Sequence, residues 1–177
     1  MFPKAHASAY IIAAMRLGWV KVYKPLEFYA SYFSAQPEGI DAELAMSGTD
    51  SIRRYIEETE RKGVEATQKE NEVMTAMLLV LEMYARNLRF LPVDIYKSAA
   101  FEYKIEDGKI RLPFSSLNGL GAIAAENIAA IMSEEGEKIF TIEDIQKKAK
   151  LTKTVMDVLK RNKVFSDIPE SDQISMF

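Results

Sequence analysis

The residues best suited to chemistry are two glycines two positions apart in Leu117-Asn118-Gly119-Leu120-Gly121, just before the alanine-rich run Ala122-Ile123-Ala124-Ala125-Glu126-Asn127-Ile128. Gly119 and Gly121 let a tight hairpin take unusual dihedrals and bring its backbone against a ligand. The helix that follows aims free N–H groups at the same place, and these N–H groups and the helix dipole both favour an anion, phosphate above all. Small Ala124 and Ala125 permit close packing behind. A second unit runs from Thr141-Ile142-Glu143-Asp144-Ile145 through Leu151-Thr152-Lys153 to Val158-Leu159-Lys160, and it reads as a degenerate copy with lysines in place of glycines. Lys150 and Lys153 are its candidate phosphate contacts, in a cluster with Lys147, Lys148, Lys160, Arg161 and Lys163 that faces only Asp157. At the other end of the chain His6 and Tyr10, four apart, share a helix face, with Lys4 just before it. The final residues Gln173-Ile174-Ser175-Met176-Phe177 follow a polar, proline-containing stretch. Ile174 and Phe177, with help from Met176, are candidate apolar anchors for a pocket on a partner, with Gln173 as a candidate hydrogen-bonding residue at its rim. Structural alternatives stand beside each: a helix-entry turn for the glycines, a solvated face for the lysines, packing for His6 and Tyr10, and a tail folded onto the core.

Composition removes other chemistries. The 177 residues include no cysteine, which excludes a disulfide scaffold, a thiolate metal site and a cysteine nucleophile. His6 is the only histidine, so zinc chemistry and a Ser-His-Asp triad lack their imidazole cluster. Glu134, Glu135 and Glu137 read as a solvated helix end, not as metal ligands. No apolar run reaches the length of a membrane span, and Arg16 cuts residues 10–15 too short for a signal-peptide core; a cytoplasmic protein with no membrane partner is expected. The net charge of −3 disfavours non-specific nucleic-acid binding, but its distribution is uneven. The first segment and the last carry local excess of lysine and arginine, and a local basic patch can grip phosphate on an acidic chain.

The elements that must position these residues are mostly helical. Ala9, Ile12, Ala13, Leu17 and Val20 predict a helix over 6–22, stopped at Lys24-Pro25, with Pro25 in the first turn of a second helix to Ser34. Asp50 or Ser51 is expected to cap a helix ending at Gly63. Thr67 and Glu70 form a capping-box pattern for a long helix to about Asn87, with Val73, Met74, Met77, Leu78 and Leu81 as its buried face. Alternation in Phe101-Glu102-Tyr103-Lys104-Ile105 and Lys109-Ile110-Arg111-Leu112, separated by Asp107-Gly108, predicts a β-hairpin. Helices over 122–132, after a Thr141 cap, and over 152–162 complete the chain. The expected class is mainly α with a small β-hairpin.

Gly119-Leu120-Gly121 with its amphipathic helix resembles a helix-hairpin-helix motif, which grips the DNA backbone without reading sequence. Met1-Phe2-Pro3-Lys4-Ala5-His6-Ala7-Ser8-Ala9-Tyr10 resembles the fingers segment of bacterial family C replicative polymerases, and Gln173-Ile174-Ser175-Met176-Phe177 the bacterial clamp-binding motif. Taken in order, with Ala30-Ser31-Tyr32-Phe33 and Leu91-Pro92-Val93-Asp94-Ile95-Tyr96, these stretches are similar to the C-terminal portion of the PolC-type DNA polymerase III alpha subunit. The resemblance implies a partial fingers-like region over 1–94 and a β-hairpin with tandem helix-hairpin-helix units over 95–165. It implies a flexible clamp-binding tail over 166–177. It implies nucleotide contact at Lys4, His6 and Tyr10, where lysine meets a triphosphate and an aromatic stacks on a base. It implies backbone contact at Gly119, Gly121, Lys150 and Lys153, and clamp contact at Gln173, Ile174, Met176 and Phe177. The implied partners are duplex DNA, the sliding clamp and the remainder of the polymerase. Magnesium belongs to the palm of the intact nucleotidyltransferase; the chain itself is expected to hold no cofactor and no catalytic residue. The competing class is a free-standing helix-hairpin-helix adaptor of repair or recombination that recruits the clamp.

Because no palm is legible, the purified chain with magnesium, a primed template and all four nucleotides is expected to extend nothing. Extension that co-purifies with the chain contradicts that reading.

Overall fold

The computed structural model describes residues 4–36, 40–135, 141–165 and 168–169. Helix α1 (Lys4–Tyr23) ends where Pro25 removes a backbone donor, and α2 (Pro25–Ala35) starts with that proline in its first turn. Asp41 caps the short α3 (Ala42–Met46) by accepting the Leu44 N–H at 3.0 Å. The expected caps at Asp50 and Ser51 are replaced by a backbone device. Helix α4 (Thr49–Lys62) starts at Gly48, whose φ of 95° needs no side-chain cap, and stops at Gly63 as the sequence predicts. Helix α5 (Gln68–Ala85) opens with the predicted capping box: the Thr67 hydroxyl accepts the Glu70 N–H while the Glu70 carboxylate accepts the Thr67 N–H. Hydrogen bonds from Lys62 and Thr67 hold the Glu70 carboxyl down to about 2.

Val73, Met77, Val80, Met83 and Tyr84 form the buried face of α5. Leu78, expected on that face, is 49% exposed; at roughly 100° per residue it falls off the arc that Val73, Met77, Val80 and Tyr84 share. The Tyr84 hydroxyl donates to the Ala45 carbonyl at 2.6 Å, fastening α5 to α3.

Strands β2 (Lys104–Glu106) and β3 (Lys109–Arg111) make the predicted hairpin. Asp107 and Gly108 turn it with φ of 50° and 72°, both positive as a two-residue turn matched to strand twist requires. A third strand, β1 (Phe90–Leu91), pairs parallel to β3, giving the order β1-β3-β2. The sheet therefore joins the long helix to the hairpin.

A 3-10 turn (Phe114–Ser116) leads from β3 to α6 (Ala122–Glu135), which is followed by α7 (Ile142–Lys148) and α8 (Lys153–Arg161). One apolar cluster runs from Tyr29 and Phe33 through Phe90, Tyr103 and Phe114 to Ile128, Ile145 and Leu159. Rings meet at its centre, with Phe33 5.5 Å from Phe90 and 5.6 Å from Tyr103. Among the described residues no helix is long and apolar enough to cross a membrane.

Glu106 accepts from Lys97 at 2.7 Å and from Arg111 Nε at 2.9 Å, and these two hydrogen bonds hold its carboxyl below the ordinary carboxylate value. A depressed folded-state value stabilises the fold fully above the unfolded value; the gain is lost as pH falls through the folded one. Glu106→Gln is therefore expected to lower the urea midpoint at pH 7, with the gap to the parent closing as pH drops below the ordinary carboxylate range. A gap independent of pH contradicts the assignment.

Candidate nucleic-acid interface

Buried Phe114, Leu117 and Leu120 hold the first hairpin unit to the core, while Asn118, Gly119 and Gly121 stay exposed. The Leu120 N–H closes the turn on the Leu117 carbonyl at 3.1 Å, and the Ala125 N–H takes the Gly121 carbonyl as the first bond of α6. The N–H groups of the opening turn of α6 have no acceptors within the helix. The residue before it is a glycine, which brings no side chain to cap them. Only Gly119, with φ of 90°, has the left-handed backbone that the sequence suggests for both glycines; Gly121 is outside that region. Gly121 keeps the surface open instead: a Cβ there would meet nothing within 4 Å.

The second unit repeats the backbone with other side chains. Lys150, with φ of 52°, stands where Gly119 stands. Leu151 is buried like Leu120, and Thr152 precedes α8 as Gly121 precedes α6. Ala125 and Ile128 on α6 match buried Met156 and Leu159 on α8. The two units also pack reciprocally. A Cβ on Gly119 would lie 3.4 Å from the Val158 side chain, and the Asn127 side-chain amide donates to the Ala149 carbonyl at 3.3 Å. Val158 and Asn127 are each the sixth residue of their helix, so each hairpin rests on the same place in the other unit.

One difference divides their chemistry. The Thr152 hydroxyl accepts the Val155 N–H at 3.4 Å, so α8 caps one of its own donors while α6 begins without a side chain that could do so. Phosphate recognition by backbone fits the first unit, and recognition by charge fits the second, where Lys150 and Lys153 are exposed.

A cleft of about 390 Å³ opens beside the first hairpin, lined by Lys69 and Glu72 of α5, Asp41, Ser115, Asn118 and Gly119. The Ser115 hydroxyl is buried there without a hydrogen-bond partner. Lys69 was invisible as a site residue, because nothing in local spacing links α5 to the hairpin.

Lys4, His6 and Tyr10 lie on α1, away from any buried surface of their own helix. The His6 and Tyr10 rings meet edge to face at 4.6 Å, as their spacing predicts. Lys4 is about 160° around the helix from His6, so it does not join that face. Gln173, Ile174, Met176 and Phe177 lie outside the described residues. Among the described residues no group of three or more carboxylates and histidines is arranged to hold a metal ion.

Gly119→Ala forces an alanine into the left-handed region against Val158, and is expected to destabilise the chain by about 1–2 kcal/mol in urea titrations. Gly121→Ala is expected to cost less than half as much. Equal costs contradict the distinction between the two glycines.

Residues 87–173 match a family described as a helix-hairpin-helix motif. Over all 177 residues the chain is 41% identical to the PolC-type DNA polymerase III of Caldanaerobacter subterraneus subsp. tengcongensis. It is 39% identical to the proteins of that name from Halalkalibacterium halodurans and Bacillus subtilis. In each case the alignment covers 100% of this chain and 12% of the relative. The chain is homologous along its whole length to PolC-type DNA polymerase III and carries a helix-hairpin-helix motif, spanning about an eighth of the relatives it matches.

Proposed function

We propose that the chain is the C-terminal segment of a family C replicative polymerase, which positions duplex DNA and the incoming nucleotide and tethers the enzyme to the sliding clamp. The observation that carries this reading is the pair of reciprocally packed hairpin units within a chain homologous throughout to PolC-type polymerases. The open N-terminus of α6 takes one backbone phosphate through main-chain donors, and Lys150 and Lys153 take phosphates of the same duplex through charge. None of these groups reads a base edge, so binding is independent of sequence. That suits an enzyme that must move along any template.

On this reading His6 and Tyr10 offer a stacking face to the incoming nucleotide, and Lys4 meets its triphosphate from the start of α1. Gln173, Ile174, Met176 and Phe177 engage the clamp. On the same reading magnesium belongs to the palm of the intact enzyme, and the chain's part in the reaction is placement. The homology over every residue favours the polymerase reading over a free-standing adaptor, which would need to match only around the hairpins.

Fluorescence anisotropy with a short duplex tests this. Affinity is expected to fall steeply with salt and to be indifferent to sequence. Lys153→Glu should lower the slope of log affinity against log salt by about 1. Gly121→Asp, which places a carboxylate at the open helix end, should weaken binding without affecting the melt. Deleting 173–177 should leave duplex binding intact and abolish clamp binding; Phe177→Ala alone should cost on the order of 2 kcal/mol, about thirtyfold. Both point variants binding duplex like the parent overturns the hairpin assignment.

A further inference from the structure

Helix α1 is the one long helix whose packing does not explain its sequence. Across its 20 residues it buries none, whereas α5 buries five side chains in 18. Of its eight exposed large apolar residues, Tyr10 and Leu17 lie on the opposite side and the other six share one side. At roughly 100° per residue, Ile11, Ile12, Met15, Trp19, Val22 and Tyr23 fall within an arc of about 120°. All six are more than half exposed, from Ile12 at 51% to Met15 at 70%. The contacts that fasten α1 to the rest of the chain lie about 140° away from that stripe. There Lys21 pairs with Glu82 at 2.8 Å and lies over the Phe28 ring, and Arg86 donates to the Lys21 carbonyl. The helix is thus held from one side and offers its apolar stripe outward from the other.

We propose that this stripe is a docking face, seated in an apolar groove with a carboxylate-bearing rim on the part of a PolC-type polymerase outside these 177 residues. The inference rests on the polymerase reading above. Three observations select this occupant. A contiguous apolar patch of this kind on a helix is a protein-interaction face, and a helix apolar on several sides belongs inside a larger body. The relatives supply that body, since this chain spans only 12% of each. Charge selects the rim: α1 contains no carboxylate, and Arg16 beside the stripe forms no ion pair among the described residues. Two copies of the chain docking stripe to stripe would bring only cations from α1 to that rim, so a second copy fits poorly. The Trp19 and Tyr23 rings, 5.0 Å apart, are the aromatic anchors near the secured end of the helix.

Trp19 is the only tryptophan, so a single 5-fluorotryptophan label reports on the stripe. The labelled chain is titrated with the Bacillus subtilis relative from which the homologous segment has been deleted, and followed by 19F NMR and calorimetry. Binding is expected to shift the fluorine resonance and remove its H2O/D2O solvent effect. Met15→Glu and Trp19→Phe/Met15→Glu are expected to weaken the complex at least tenfold, while duplex binding by the same variants stays within twofold of the parent. Val64→Glu, at a fully exposed apolar residue on another part of the surface, is expected to change neither. A parent chain that binds the remainder with Met15→Glu binding equally well overturns the docking face and spares the polymerase reading. No binding by the parent overturns both. Concentration-dependent dimerisation that Met15→Glu abolishes gives the stripe to a second copy and overturns the proposal.

Discussion

The buried guanidinium of Arg111 fixes the frame on which the hairpins are built. Only 6% exposed, it donates from Nε to the Glu106 carboxylate at 2.9 Å, with Nη2 ion-paired to that carboxylate at 2.7 Å, and from Nη1 to the Pro92 carbonyl at 2.8 Å. Arg111 sits on β3, Glu106 on β2, and Pro92 follows β1, so one side chain ties all three strands. A buried charge is tolerable only when its donors are satisfied, and losing one partner costs more than replacing the whole set with apolar groups. The sheet's register is thereby locked. β3 runs straight into Leu112 and the buried Phe114, which seat the first hairpin. The placement of Gly119 and Gly121 relative to α5 follows from that lock.

From this frame the chain builds two similar units with different chemistry. The reciprocal contacts at Val158 and Ala149 couple the units, so the spacing of their outer surfaces is set by packing in the core and not by loop conformation. Glycine before α6 leaves helix-end donors to the solvent; threonine before α8 uses one of them internally. The first unit therefore presents an open main-chain surface and the second presents exposed charge. Lysine in the left-handed conformation at 150 is itself a cost of order 1 kcal/mol, which the fold sustains at a position where a cation projects from the turn.

The parts of the fold legible in the sequence are those decided within a few residues. The Thr67–Glu70 capping box, the Thr141 cap and the Asp107-Gly108 turn each carry their geometry in their own side chains or dihedrals, and each is found as read. What escaped depends on distant partners. β1 is two residues followed by a proline, with no alternation to notice, and it exists because β3 presents unpaired edge groups to it. The α4 start passed from Asp50 to Gly48 because backbone freedom replaced a side-chain cap. Leu78 shows the same limit on packing: its period is right for a helix, but only the neighbours of α5 decide which arc is covered. In the candidate site the glycines and lysines were visible by type and spacing, while the cleft contributed by Lys69 and Asp41 arises only when α5 and the hairpin meet.

The central claim, that the two hairpin units hold the DNA backbone, is tested most directly by an amide NMR titration of the chain with a short mixed-sequence duplex. The account predicts that the largest shifts fall on the amides of 119–124 and 150–155. Those of α4 and of the buried strands should barely move, and the pattern should persist with an unrelated duplex sequence. Shifts that leave both hairpins untouched, or that change location with sequence, contradict it.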